Sequence, residues 1–245
     1  MTNLVINRRV TLTAATQYNA DALLYFNAAD IISYSEKKAV SNWADATQSM
    51  RDGGKILSAQ LISPTSFSSS LYCFERLIQI TYQSGRTPNW SATDGWDFNG
   101  VIQYLKSAIN ASTDVPLNDG GISVWSLSDN AVSGISVGCN IGATNSFYIT
   151  PEGVANTAQF GSYNSATVLT GAADTSNEFF AGYVISSTSR KLYRAQVEIG
   201  TSSTVTSTPP SLEMYVGSSN TSGSAANFRL GKIGAVFITK GLTPT

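Results

Sequence analysis

The chain has 245 residues, 42% of them hydrophobic but only 13% charged, and its formal net charge is −1. A charged fraction about half the usual one, made up by Ser, Thr, Asn and Gly, argues against long solvent-exposed helices, whose outer faces are normally coated with Lys and Glu. The sequence has no basic stripe for a phosphate backbone, no apolar run long enough for a membrane-spanning helix and no histidine, which removes His-based triads, His general bases and His zinc ligands.

Residues 1–66 read as an N-terminal arm and helical lead-in, and residues 67–245 as one sandwich domain. Arg8 and Arg9 are not followed by an apolar stretch of the kind that makes a secretion signal, so export by that route is not expected. Asp21 to Ala29 reads as a short helix. Ser33 and Glu36 have capping-box spacing, in which the hydroxyl and the carboxylate each satisfy an orphan amide. Ala39, Val40, Trp43 and Met50 then fall near one helical face, and Asp52-Gly53-Gly54 ends the pattern. Lys55 to Leu61 reads as a third short helix or turn.

From Leu71 the period changes from helical to strand-like. Leu71–Tyr82, Gly100–Leu105, Ile122–Leu127, Ile135–Ile141 and Phe147–Thr150 are rich in branched and aromatic residues, with Gly, Asn, Asp, Ser and Pro between them. Phe179–Ile185 and Lys191–Ile199 flank a hairpin turn, Leu212–Val216 and Phe228–Thr239 close the series, and the polar stretches 200–210 and 218–226 read as surface loops. Such spacing, without helices between the strands, predicts a mostly β, antiparallel jelly-roll sandwich with a short N-terminal helical segment. Cys73 and Cys139 read as free buried thiols, since free Cys behaves as a small hydrophobe. A disulfide between them stays open at this level.

Three stretches carry a family resemblance. Asp94-Gly-Trp-Asp-Phe-Asn-Gly-Val-Ile-Gln-Tyr-Leu105 and Ile122-Ser-Val-Trp-Ser-Leu127 are similar to core strands of concanavalin A-like, laminin-G-like jelly rolls. Phe228 to Thr243 resembles the closing strand of the same domains, in which Gly231 and Gly234 would mark bends or close backbone approach. With a helical lead-in, the combination looks like a bacteriophage virion protein. The resemblance implies a non-enzymatic structural role in capsid decoration, a head fibre or a tail fibre. It places the chain on the virion after synthesis in the host cytoplasm, with other virion proteins as partners and a homo-oligomer, a trimer by analogy with fibres. The alternative it implies is a receptor-binding lectin-like module for host surface glycans.

Glycoside hydrolases also use this fold, but they need two carboxylates placed across one sugar. The acids here are scattered, with no alternating pattern on a strand, so no catalytic residue is expected. Sugar binding needs exposed aromatic rings, and Trp90, Trp96 and Tyr163 lie in polar surroundings, whereas Trp125 sits between branched residues and reads as core. A core position is also the bland reading of Trp96. Calcium is the one cofactor the resemblance implies, through loop oxygens of Asp94, Asp97 and Asp119 with Asn99 and Asn118 beside them. Asp and Asn in loops more often only shape turns.

Overall fold

Short segments in which apolar and polar residues alternate bury one face and present the other. In this chain they form two stacked sheets. The computed structural model describes residues 56–60, 72–73, 78–79 and 81–240, apart from 92–93, 130–133, 143–144, 154–155, 164–167, 174, 176, 196 and 205–206.

In chain order the strands are β1 (Ile56–Gln60), β2 (Tyr72–Cys73), β3 (Ile78–Gln79), β4 (Asn89–Ser91), β5 (Gly95–Asn99), β6 (Leu105–Asn110), β7 (Gly120–Ser126), β8 (Val137–Ile141) and β9 (Asn145–Thr150). They continue as β10 (Thr157–Ser162), β11 (Leu169–Ala172), β12 (Phe179–Ser186), β13 (Ser189–Arg194), β14 (Val197–Ser202), β15 (Glu213–Val216), β16 (Ser219–Thr221), β17 (Ser224–Ala226) and β18 (Leu230–Lys240). One turn of helix, α1 (Ala111–Asp114), follows β6; Asn110 caps it by accepting the Ser112 amide, and Asp114 reaches back to the Asn110 amide.

Sheet A runs β14-β13-β12-β7-β18-β1-β2-β3, with β5 also on β18 and β4 on β5. Sheet B runs β11-β10-β9-β8-β15-β6, with the β16–β17 hairpin beside β8. The pairs are antiparallel except β16 with β8. Ile122, Val124, Phe180, Leu192, Val236 and Ile238 of sheet A meet Leu105, Val137, Cys139, Phe147, Ile149 and Phe160 of sheet B in one apolar core. At one edge β11 and β14 come together so closely that a Cβ on Gly171 would lie 2.6 Å from the Ile199 carbonyl oxygen.

The sandwich expected from the sequence is present, but several boundaries differ. Residues 56–60 form strand β1, not a helix or turn, because they fill the free hydrogen-bonding edge of β18 from Gln60↔Val236 to Ile56↔Thr239. The stretch 100–104 is a turn before β6: Gly100 takes φ +73° and Asn99 Oδ1 accepts the amides of Val101, Ile102 and Gln103. The 218–226 stretch is a hairpin whose Ser222 and Gly223 both take positive φ, as a tight β-turn between strands requires. Strands β4, β10 and β11 had no signal in the periodicity, being short and rich in small or polar residues. The helical readings at 21–29 and 33–50 fall outside the described residues. Cys139 is a buried free thiol, pushed up to about 12 by burial. The side chain of Cys73 is outside the described set.

Candidate functional site

The pleat decides where Trp90 and Trp96 point, and a left-handed residue just past β10 decides it for Tyr163. Trp90 lies directly across from Trp96, and Trp96 across from Ile233, so the three share the inward face of sheet A. Trp96 is 2% exposed, and Trp90 is half-buried against the core with its indole N–H buried and unpaired. Tyr163 is a core ring with no exposure, stacked on Phe147 at 4.6 Å and 11°. Its phenol is held well above its ordinary pKa, mainly by burial. Trp96 and Tyr163 therefore present no face on which a sugar could stack, a correction to the sequence reading: the polar residues around Tyr163 surround a ring that turns inward. Trp125 shows the opposite error, since it pairs with Phe179 and Ala235 on the outward side of sheet A and is half-buried.

The three aspartates do not gather into a calcium site. Asp94 is paired with Lys232 at 3.1 Å and accepts from Ser91 Oγ. These contacts, the Lys232 hydrogen bond first, hold its carboxyl below the usual range. Asp97, on β5, sits opposite Asn89 and Lys232. Asp119 belongs to the turn entering β7, where its amide donates to the Pro116 carbonyl. Among the described residues no three His, Cys, Asp or Glu side chains are placed to hold a metal ion. With Asp94 committed to a lysine and Asp119 elsewhere, the set does not fit Ca²⁺.

The outer faces of the sheets differ. On sheet A the outward residues Phe179, Ala181, Tyr183, Ala235 and Phe237 are between 1% and 4% exposed, so the middle of that face is covered, with Trp125 half-buried among them. On sheet B, cross-strand register sets out the row Gly161–Tyr148–Gly138–Tyr215–Lys106. Tyr148 alternates with the core residues Phe147 and Ile149 and so points outward, half-buried, with its phenol raised by burial. Its ring lies across Gly161: a Cβ there would stand 2.4 Å from Tyr148 Cε1 and 2.7 Å from Ser146 Oγ. Asn140, directly opposite Ser146 in the ladder, carries a side-chain carbonyl oxygen with no hydrogen-bond partner, and Ser146 Oγ likewise has none.

Further along the row the rings form a stack with cations at each side. Tyr104 and Tyr215 are 4.9 Å apart at 25°, Lys106 Nζ lies 5.8 Å from the Tyr215 ring and the Arg86 guanidinium 5.9 Å from the Tyr104 ring. Gln159 and Thr170 on β10 and β11 extend the polar margin. Tyr104 and Tyr215 are each 5% exposed, so of these rings the half-buried Tyr148 is the one that keeps a face open, with the amide of Gln159 and the hydroxyl of Thr170 at its margin, a combination with which a protein grips a polar ring. The strand read over Phe147–Thr150 contains Tyr148, and its alternation with Phe147 and Ile149 is the signal that could have marked it, but the glycines beside its ring come from β8 and β10, which only the register reveals.

No protein-family model matches this sequence, and no curated protein matches it. Solved structures do match. Domain 4 of AbnA, a GH43 extracellular arabinanase from Geobacillus stearothermophilus, solved in complex with arabinotriose, superposes with a TM-score of 0.54 at 17% identity, covering 76% of this chain and 95% of that domain. The CBM40 of Ruminococcus gnavus IT-sialidase matches at TM-score 0.39 and 18% identity, over 52% of this chain and 79% of that one. Mouse laminin α1 domains LG4-5 match at 0.37 and 16%, over 52% and 41%. Agreement over nearly the whole arabinanase domain, together with the two-sheet topology, establishes the fold as an antiparallel β-sandwich of the kind that domain adopts.

Proposed function

We propose that this chain is a non-catalytic, lectin-like carbohydrate-binding module whose ligand face is the outer surface of sheet B, with Tyr148 as the stacking ring. The observation that carries the reading is the placement of Tyr148, half-buried on the outer face of sheet B with its ring lying across Gly161, above the buried and unpaired side-chain oxygens of Ser146 and Asn140. A sugar presents an apolar face of C–H groups and an equator of hydroxyls. An aromatic ring in a polar surround answers both, and leaving buried polar atoms unpaired costs about 1–3 kcal/mol each unless a ligand or solvent meets them. That the arabinanase domain of the same fold was solved with arabinotriose supports a saccharide as the ligand class.

The other role expected from the sequence, virion assembly through protein contacts, has no comparable residue cluster behind it. A virion surface is the setting in which such a module would meet host glycans. The test is a glycan array, followed by calorimetric titration of any hit, on the wild type, Tyr148→Ala and Trp90→Ala. Binding that is lost in Tyr148→Ala and kept in Trp90→Ala is the expected result. Silence across neutral and acidic oligosaccharides alike would falsify the proposal.

A further inference from the structure

At the end of the sandwich where β7 and β9 finish and β8 and β18 begin, five polar side chains are sealed inside. Arg229, Ser126, Ser136 and Ser218 have no exposure, and Glu152 has 3%. The backbone brings them together: Arg229 N–H donates to the Gly217 carbonyl at 2.9 Å, and Gly217 N–H to the Ser136 carbonyl at 2.7 Å. Arg229 Nη2 donates to Ser126 Oγ at 2.6 Å. Its Nε and Nη1, Glu152 Oε2, and the hydroxyls of Ser136 and Ser218 have no protein partner. Burial lowers the guanidinium pKa to about 10, and the Glu152 charge opposes that shift. Ser136 N–H in turn donates to the Ile149 carbonyl at 3.0 Å, which sets the end of β9, just before Glu152, against the Ser136–Gly217–Arg229 backbone contacts, yet Arg229 and Glu152 form no direct ion pair with each other.

We propose that ordered water bridges Arg229 to Glu152 inside the sandwich and completes an ion pair that the two side chains do not make directly. Two guanidinium donors, one carboxylate acceptor and two hydroxyls able to do either are the partners that buried water takes, about three at a time. Charged occupants fit less well. A metal cation would be repelled by Arg229 and an anion by Glu152, whereas a neutral molecule with both donors and acceptors satisfies each. A direct salt bridge would leave Ser136 and Ser218 unpaired. The bridge ties the start of β18 in sheet A to the end of β9 in sheet B, the strand that carries Tyr148.

Two measurements on the full chain test this independently of any glycan. A crystal structure that resolves ordered solvent should show water within hydrogen-bond distance of both Arg229 and Glu152 Oε2. In solution, the Arg229 Nε–H resonance, assigned by its loss in Arg229→Lys, should exchange slowly and show a cross-peak to long-lived water. The apolar pair Glu152→Leu with Arg229→Met should expel that water and abolish the signal; should the pair not fold, the wild-type measurements still decide. A direct Arg229–Glu152 contact without water, or density for a molecule other than water, overturns the proposal.

Discussion

The guanidinium of Arg190, rooted in sheet A, hydrogen-bonds Ser162 Oγ of sheet B at 2.7 Å across the interior of the sandwich. It also donates to the Ser162 carbonyl and to Ser202 Oγ, and the arginine has no exposure. The apolar core is non-directional, so contacts of this kind fix how one sheet sits on the other.

The Ser162 hydroxyl is the simplest part of that contact to remove. Ser162→Ala should destabilise the protein by about 1.5–3 kcal/mol, the range for a hydrogen bond to a charged group in a buried setting. Urea unfolding gives the number through its midpoint, provided the slope is unchanged. A shift within error of zero would show that Arg190 does not depend on Ser162.

The two glycines flanking Tyr148 should separate folding from binding. At Gly161 the atoms nearest an added methyl are those of the Tyr148 ring and the Ser146 hydroxyl, side-chain atoms that can swing away. At Gly138 it meets the Phe147 carbonyl oxygen and Tyr148 Cα, both 2.6 Å away and both backbone. Gly161→Ala should therefore fold normally but lose about tenfold or more in affinity for any glycan that Tyr148 binds, equivalent to about 1.4 kcal/mol. Gly138→Ala should lower the unfolding midpoint itself. Equal loss of affinity and stability in both variants would contradict the assignment of Tyr148 to the ligand face.

These glycines also show how far the sequence could be read. The strands around Trp96, Val124, Phe147, Val184 and Val236 were legible because branched and aromatic residues recur between turn-forming ones. Strand β1 was not legible, because its state is set by the edge of β18, which lies some 180 residues further along the chain, so no local pattern holds it. The site was hidden for a related reason. Local polarity marked Tyr163 and the Trp90–Trp96 stretch, but whether a ring points in or out follows from register. In this fold the register turns Trp96 inward and Tyr148 outward, while Tyr163, just past β10, is brought inward against the alternation by its own left-handed backbone, φ +59°.

Cys139 tests the packing beneath that face. Its thiol is buried in the core with its pKa raised to about 12, so almost no thiolate exists near neutral pH. Native protein should resist alkylation at Cys139, read by peptide mapping so that Cys73 is scored separately, and should react once unfolded. Cys139→Ser places a hydroxyl among Val137, Phe147 and Val216 and should cost about 1–3 kcal/mol. Rapid native labelling of Cys139 would mean that β8 opens readily and that the core under the row is loosely held.

The Asp94–Lys232 pair should give the exposed edge of sheet A a small acid dependence. The hydrogen bond from Lys232 is the largest influence lowering the Asp94 carboxyl from 3.8, with Ser91 next. The folded chain therefore holds this proton less tightly than the unfolded chain. A carboxylate with a depressed folded pKa stabilises fully above its unfolded value, and that contribution disappears as pH falls through the folded value. Asp94→Asn should thus be slightly less stable than wild type at neutral pH. The two should converge once the pH has fallen below the folded value and the Asp94 carboxyl is protonated in both states. Because both partners are solvent-accessible, added salt should shrink the neutral-pH difference. Urea midpoints for the two proteins at neutral and acid pH decide the matter. A difference that survives in acid would mean that Asp94 acts through its hydrogen bond with Ser91 and the shape of the β4–β5 turn, and that its charge is incidental.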